Sequence, residues 1–349
     1  MYTKIIKIDE NNIDKNLIGE AVRIIKNGGL VAFPTETVYG LGANGLDEEA
    51  VKKIFIAKGR PQDNPLILHV YSTDQVEDLV EEIPPVAKLC MDKFWPGPLT
   101  IILKKSPKVP DIISAGLDTV AIRMPENKIA LEIIRLSNTP IAAPSANTSG
   151  KPSPTSARHV IEDLMGRIDM IVDGGDTGIG LESTVLDLST DIPMILRPGG
   201  VTKEDLSKTI PNISIDSSII KEDEKLIPKS PGQKYRHYAP KAEMFVFSGQ
   251  VDSIVEAIIV NTEKYTKEGK RVGIICTDET KDFYKEGVII SMGSRKNKET
   301  IARNLFNTLR TFDHLDVDII LAEGVDLSNL GIAIMNRMMK AASGKIIKV

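Results

Sequence analysis

The sequence predicts an α/β protein in two parts. A twisted, mixed α/β domain is expected over residues 1–205, and a smaller, Rossmann-like parallel α/β domain over 241–349. Three observations carry this reading. Short apolar runs alternate with amphipathic stretches through nearly the whole chain, the pattern of strands layered against helices. At 349 residues the chain exceeds what one hydrophobic core usually holds. Residues 206–240 break the alternation with charge clusters and prolines, and read as a linker.

Taken in order, the first helix starts near Asp14, whose carboxylate suits an N-cap, and stops at Gly28-Gly29. Residues 30–33 read as a strand. The following Pro34-Thr35-Glu36-Thr37-Val38-Tyr39-Gly40-Leu41-Gly42 reads as a loop, rich in hydroxyls and able to wrap a small polar molecule. A second helix runs from Asp47 as N-cap to about Ala57 and delivers Lys58 and Arg60 just past its end. Strands follow at 66–70, 100–103, 120–123, 141–143, 170–172, 183–186 and 194–196. After the linker, strands at 244–247, 272–275, 288–290 and 319–322 alternate with helices near 251–267, 298–313 and 330–342. No GxGxxG follows the first of these strands, so a dinucleotide site there has little support.

Composition narrows the function. Hydrophobic content of 42% and charged content of 26% suit an ordinary globular protein and exclude a disordered chain. A formal charge of -4 provides no global attraction to nucleic acid or anionic lipid. Cys90 and Cys276 lack the spacing of a disulfide framework or zinc site. With no signal-peptide core and no run of about 18 apolar residues, a cytoplasmic protein without membrane contact is expected.

Candidate chemistry gathers on two stiff turns. Lys58-Gly59-Arg60-Pro61-Gln62-Asp63-Asn64-Pro65 holds two cations in a proline frame, and Pro144-Ser145-Ala146-Asn147 holds a hydroxyl and a carboxamide. Fixed cations plus neutral donors are what a polyphosphate needs, since a charge-assisted hydrogen bond contributes about 1.5–3 kcal/mol against about 1 for a neutral one. Arg123 ends an apolar strand, so its guanidinium requires an anion, either a substrate carboxylate or an internal Asp or Glu. His69 lies inside an apolar strand and reads first as a core residue, with a ligand role as the alternative. Glu182-Ser183-Thr184 follows the glycine-rich stretch 174–180, where backbone can approach a ligand closely. Arg197-Pro198-Gly199-Gly200 repeats the plan of a cation at a strand end. Trp95 reads as a turn anchor. No Ser-His-Asp order, HExxH or GxxxxGK[ST] is present.

Together with Phe94-Trp95-Pro96-Gly97-Pro98-Leu99-Thr100 and Leu196-Arg197-Pro198-Gly199, these segments resemble the YrdC family, the L-threonylcarbamoyladenylate synthases. Ser230-Pro231-Gly232-Gln233-Lys234-Tyr235-Arg236-His237-Tyr238-Ala239-Pro240 resembles the longer, two-domain form of that family. The resemblance implies a YrdC-like N-terminal domain and the reaction of L-threonine, bicarbonate and ATP, with Mg²⁺, to threonylcarbamoyl-AMP and pyrophosphate. It implies that tRNA-modification proteins receive the product, for the adenosine beside the anticodon. It places Lys58, Arg60 and Asn64 on the ATP phosphates, with Lys58 and Arg60 catalytic. Ser145, Asn147 and Arg197 would contact the nucleotide, with Thr119 and Ala143 beside it. Thr35, His69, Arg123 and Ser183 would hold threonine. No protein metal ligand is assigned. Tyr235 and His237 are expected over the nucleotide as part of a lid. Rival readings are a double-stranded RNA or tRNA-binding module, a carbamoyl-transferring maturation enzyme, and an ATP/threonine sensor.

Overall fold

A computed structural model describes residues 1–219 and 238–349, in two compact units. Of these residues, the first unit holds 1–149 and 153–219, the second 150–152 and 238–349. The first unit opens with β1 (Lys4–Lys7), α1 (Lys15–Lys26), β2 (Val31–Phe33), β3 (Gly40–Asn44), α2 (Glu48–Lys58), β4 (Ile67–His69), α3 (Asp74–Glu77) and α4 (Pro85–Phe94). It continues with β5 (Leu99–Lys104), α5 (Asp111–Ser114), β6 (Thr119–Arg123), α6 (Lys128–Ser137), β7 (Ile141–Ala142), α7 (Ala157–Leu164) and β8 (Met170–Asp173). Then come β9 (Thr184–Asp187), β10 (Met194–Arg197), α8 (Lys203–Ser207) and β11 (Ser214–Ile215). The strands form one mixed sheet in the order β1-β8-β2-β3-β7-β4-β6-β5-β9-β10-β11.

The helices form where caps and apolar stripes coincide. Asp14 accepts from the amides of Asn16 and Leu17, which closes the N-terminus of α1 as expected. Ile18, Ala21, Val22 and Ile25 then recur at helical spacing on one face. That face packs on Ile129, Ala130, Ile133 and Ile134 of α6 and on Ile6, Val31, Phe33, Met170 and Val172 of the sheet. Burying each such aliphatic side chain contributes about 1.5–3 kcal/mol, so this cluster anchors one end of the sheet. A second, smaller cluster of Ile67, Ile102, Ala121, Val185 and Leu196 lies across the strands that carry the candidate site.

Two stretches differ from expectation. Residues 40–42, read as the end of a loop, belong to β3 and pair antiparallel with β2. Two glycines with no β-branched residue conceal the strand, yet glycine is required. A Cβ on Gly42 would stand 2.5 Å from Cε1 of Phe33. The expected linker begins with ordered structure, because β11 pairs in parallel with β10 and buries Ile210, Ile213 and Ile219 around it. Half-buried and set among polar residues, Ser214–Ile215 lacks the apolar run that marks the equally short but buried β7.

The second unit runs β12 (Glu243–Ser248), α9 (Val251–Lys267), β13 (Val272–Cys276), β14 (Val288–Ser291), α10 (Lys298–Phe312), β15 (Ile319–Glu323), α11 (Gly331–Ala341) and β16 (Ile346–Lys348). Its sheet is wholly parallel, ordered β14-β13-β15-β12-β16, as the alternating pattern predicts. Ile254 and Ile258 of α9 pack on Phe247, Val272, Ile274, Ile319 and Leu321. At the strand ends, the buried Glu323 carboxylate accepts from Tyr284 Oη (2.6 Å), Thr277 Oγ1 (3.0 Å) and Arg295 Nη2 (2.6 Å). Among the described residues, no helix is long and apolar enough to cross a membrane.

The carboxylate of Asp47 accepts from the amides of Glu49 and Ala50 and starts the helix that ends at Lys58. Asp47→Ala is expected to cost about 1 kcal/mol, a fall of roughly 2–4 °C in the thermal midpoint. Calorimetry of the full chain checks this.

Candidate active site

The first cluster of site residues forms where α2 ends. Gly59 caps the helix with φ +62°, a left-handed conformation that turns the chain sharply and leaves Lys58 pointing inward. Lys58 is 3% exposed, and its Nζ donates to Ser145 O (2.5 Å), Asn147 O (2.6 Å) and Asn147 Oδ1 (3.3 Å). The ammonium therefore clasps the turn at 145–147. Ser145 Oγ donates to Asn147 Oδ1 (2.5 Å), and Asn147 Nδ2 donates to Thr148 O (2.8 Å). Strand β3 supports the same turn through Leu41 N to Pro144 O (2.7 Å) and Ala146 N to Tyr39 O (2.8 Å). Arg60, half-buried, donates from Nη2 to the carbonyls of Asn64 and Pro65, both at 3.2 Å. Asn64 is 1% exposed, and its Oδ1 has no hydrogen-bond partner among the described residues. Ala143 donates its amide to Ile67 O (3.1 Å), at the same end of β4.

The second cluster forms at the far ends of neighbouring strands. His69 of β4 and Arg123 of β6 are register partners. The Arg123 guanidinium donates from Nη2 to Glu36 Oε1 (2.5 Å), from Nη1 to Thr37 Oγ1 (2.9 Å) and from Nε to Gly97 O (3.2 Å). Of the two anions the sequence leaves open, the structure contains the internal one, Glu36, whose other oxygen accepts from Glu126 N (3.1 Å). Three of five N–H donors are thus engaged, leaving one on each terminal nitrogen for a further carboxylate. Thr35 Oγ1 donates to Val38 O (2.7 Å) and braces the loop. His69 is buried with Nδ1 lacking a partner among the described residues, and burial and then the charge of Arg123 lower its pKa to about 3. The imidazole is neutral at physiological pH.

Ser183, just before β9, accepts from Arg197 Nη2 at Oγ (3.0 Å) and from Arg197 Nε at its carbonyl (3.0 Å). Its Oγ also lies 2.7 Å from Thr100 Oγ1. Arg197 reaches Ser183 because β10 is bulged against β9: Ile195 pairs with Leu186, and Arg197 with Val185. The extra residue re-aims the side chain at the strand end. Close approach is again glycine-dependent, since a Cβ on Gly199 would stand 2.4 Å from Glu182 O and Thr184 N. Trp95 anchors its turn by donating to Leu99 O (2.7 Å).

Strand β6 links the clusters. Thr119, Ala121 and Arg123 share one pleat face, and four steps of about 3.3 Å separate its two ends by about 13 Å. Between them lie Ile67, Ala121 and Ile102, register neighbours that form an apolar floor. The sequence reading did not single out Glu36 and Thr100. The visible signals were a carboxylate between two threonines and one hydroxyl in an apolar strand. Tyr235 and His237 lie outside the described residues, as does most of the expected lid.

Residues 23–199 match the family model of Sua5, YciO and YrdC, described as telomere recombination. The chain belongs to the Sua5/YrdC family. Residues 201–343 match the threonylcarbamoyl-AMP synthase C-terminal domain, so this member has the long form of the Sua5/YrdC chain. The threonylcarbamoyl-AMP synthase of Pyrococcus abyssi is 52% identical over 347 residues, 99% of this chain and 100% of that protein. That of Bacillus subtilis is 50% identical over 344 residues, 97% of each chain. The crystal structure of P. abyssi Sua5 complexed with L-threonine matches with a TM-score of 0.95, covering 99% of this chain and 100% of that one.

A neutral His69 with a depressed pKa ties acid stability to this site. Above about pH 6.5 the imidazole is neutral folded and unfolded. As pH falls toward about 3, the unfolded chain takes up a proton that the folded one refuses, so stability is lost through that window. Between about pH 7 and about pH 5, wild type should lose roughly 1–2 kcal/mol more than His69→Gln. Denaturant titration of both proteins at each pH checks this.

Proposed function

We propose that the first unit makes threonylcarbamoyl-AMP and pyrophosphate from L-threonine, bicarbonate and ATP, the activity that its relatives' names carry. The observation that carries the residue assignment is the division of β6. A phosphate-type cluster lies toward Thr119 and a carboxylate-type cluster at Arg123, with an apolar floor between. The relative solved with L-threonine supports the amino-acid end.

In this reading threonine's carboxylate takes the remaining N–H donors of Arg123, beside neutral His69 and Ser183. Thr35 acts through the loop it braces. The threonine amine and bicarbonate condense to a carbamate with loss of water. A carbamate oxygen then attacks the α-phosphorus of ATP in line. The new O–P bond forms as the α–β bridge breaks, and the electron pair leaves on pyrophosphate. No protein nucleophile is needed. The chain contributes positioning and positive charge: Arg60 and Arg197 toward phosphate oxygens, and Asn64, Ser145 and Asn147 as neutral partners, with Thr119 and Ala143 at the nucleotide. Lys58 holds the Ser145–Asn147 turn and adds its charge behind it.

Among the described residues, no group of three or more His, Cys, Asp or Glu side chains could hold a metal ion. Mg²⁺ would enter as part of the Mg–ATP substrate, where it would neutralise phosphate charge. The product would pass to tRNA-modification proteins in the cytoplasm. A double-stranded RNA or tRNA-binding module without catalysis is not favoured, given relatives named as synthases and a formal charge of -4.

Pyrophosphate release should require ATP, L-threonine and bicarbonate together, and activity without threonine would overturn the reading. Arg123→Ala should raise the threonine KM roughly 10–100-fold, the effect of one or two charged hydrogen bonds, with a smaller change for ATP. Lys58→Ala should act mainly on ATP. Steady-state kinetics with each substrate varied would reveal the opposite pattern, which would exchange the two ends.

A further inference from the structure

Strand β5 is apolar and fully buried from Leu99 to Leu103 except for one hydroxyl, that of Thr100. A valine of the same shape would avoid desolvating a hydroxyl. Thr100 and Ser183 are both 0% exposed, and their oxygens lie 2.7 Å apart. The pair carries two hydroxyl protons, and the contact between them uses one. Arg197 Nη2 donates to Ser183 Oγ and brings no acceptor. Among the described residues the second proton has no acceptor.

Which hydroxyl holds that proton follows from position. Thr100 has Ser183 as its sole hydrogen-bond partner among the described residues, so a proton turned away from Ser183 would be stranded inside the sheet. Thr100 donating to Ser183 avoids this. Ser183 then accepts twice, from Thr100 and Arg197, and its own O–H is the one left without an acceptor among the described residues. Thr100 lies one step beyond the Ile101–Ile122 pair and so faces Arg123 across the strands. A Ser183 proton at this end suits an oxygen that only accepts.

We infer that Thr100 is a positioning residue: it fixes the polarity of Ser183, so that Ser183 donates to an anionic oxygen of the amino-acid substrate, either its carboxylate or the carbamate formed from it. This rests on the reading of Ser183 as an amino-acid contact. The threonine KM of Ser183→Ala alone tests that reading, so the two can fail independently.

The test uses the full chain, measuring pyrophosphate release with L-threonine varied and ATP and bicarbonate saturating. Thr100→Val should raise the threonine KM about three- to tenfold while kcat and the ATP KM stay within about twofold, the loss of one neutral hydrogen bond. Thr100→Ser, which restores the donor, should return the KM to within about twofold of wild type. Because Thr100 acts through Ser183, the double variant Thr100→Val/Ser183→Ala should be no worse than Ser183→Ala alone. Should Thr100→Val fail to fold, Thr100→Ala, which also removes the donor, takes its place with the same expectations. The inference is overturned by an unchanged KM, by a Thr100→Ser variant as impaired as Thr100→Val, by additive losses in the double variant, or by a shift that falls on ATP.

Discussion

One ammonium group joins the parts of the first unit that must agree with one another. Lys58 ends a helix, yet it is bound to the backbone of a turn that begins beyond β7. The helix fixes where the charge enters, and the charge fixes where Ser145 and Asn147 lie. A buried ammonium is stable only with acceptors around it, and here carbonyl and carboxamide oxygens supply them. The orphaned Oδ1 of Asn64 and the Arg60 contacts at Asn64 and Pro65 complete one of the two clusters.

The other cluster divides labour between permanent and adjustable charge. Arg123 and Arg197 remain cationic at any physiological pH. His69, the titratable group among them, is held neutral because a second positive charge beside Arg123 would be buried with it. Glu36 balances Arg123 without using all of its donors. A carboxylate arriving in this part of the site meets two guanidinium groups beside a neutral imidazole.

Much of this was legible in the sequence, for physical reasons that also mark the limits. Alternation and capping residues predict α1, α2 and most strands, because burial on one face leaves a period in the chain. β3 escapes since its glycines exist to admit the Phe33 ring, and glycine carries no apolar signal. β11 escapes because Ser214–Ile215 is only half-buried and has no apolar run, unlike the equally short β7. Lys58, Arg60 and Asn147 stand out as polar groups in stiff turns. The partnership of Glu36 with Arg123, and of Thr100 with Ser183, depends on loops brought to strand ends by the fold, joining residues more than eighty positions apart. No local pattern contains that information.

The pleat of β6 also constrains how the family can change. Thr119 and Arg123 face the same way because an even number of steps separates them, and a one-residue insertion or deletion between them would rotate one end to the wrong side of the sheet. Substitution at either end can retune affinity gradually. A change in length cannot, so divergence along this strand should proceed by exchange of side chains, while gaps accumulate in the surface loops.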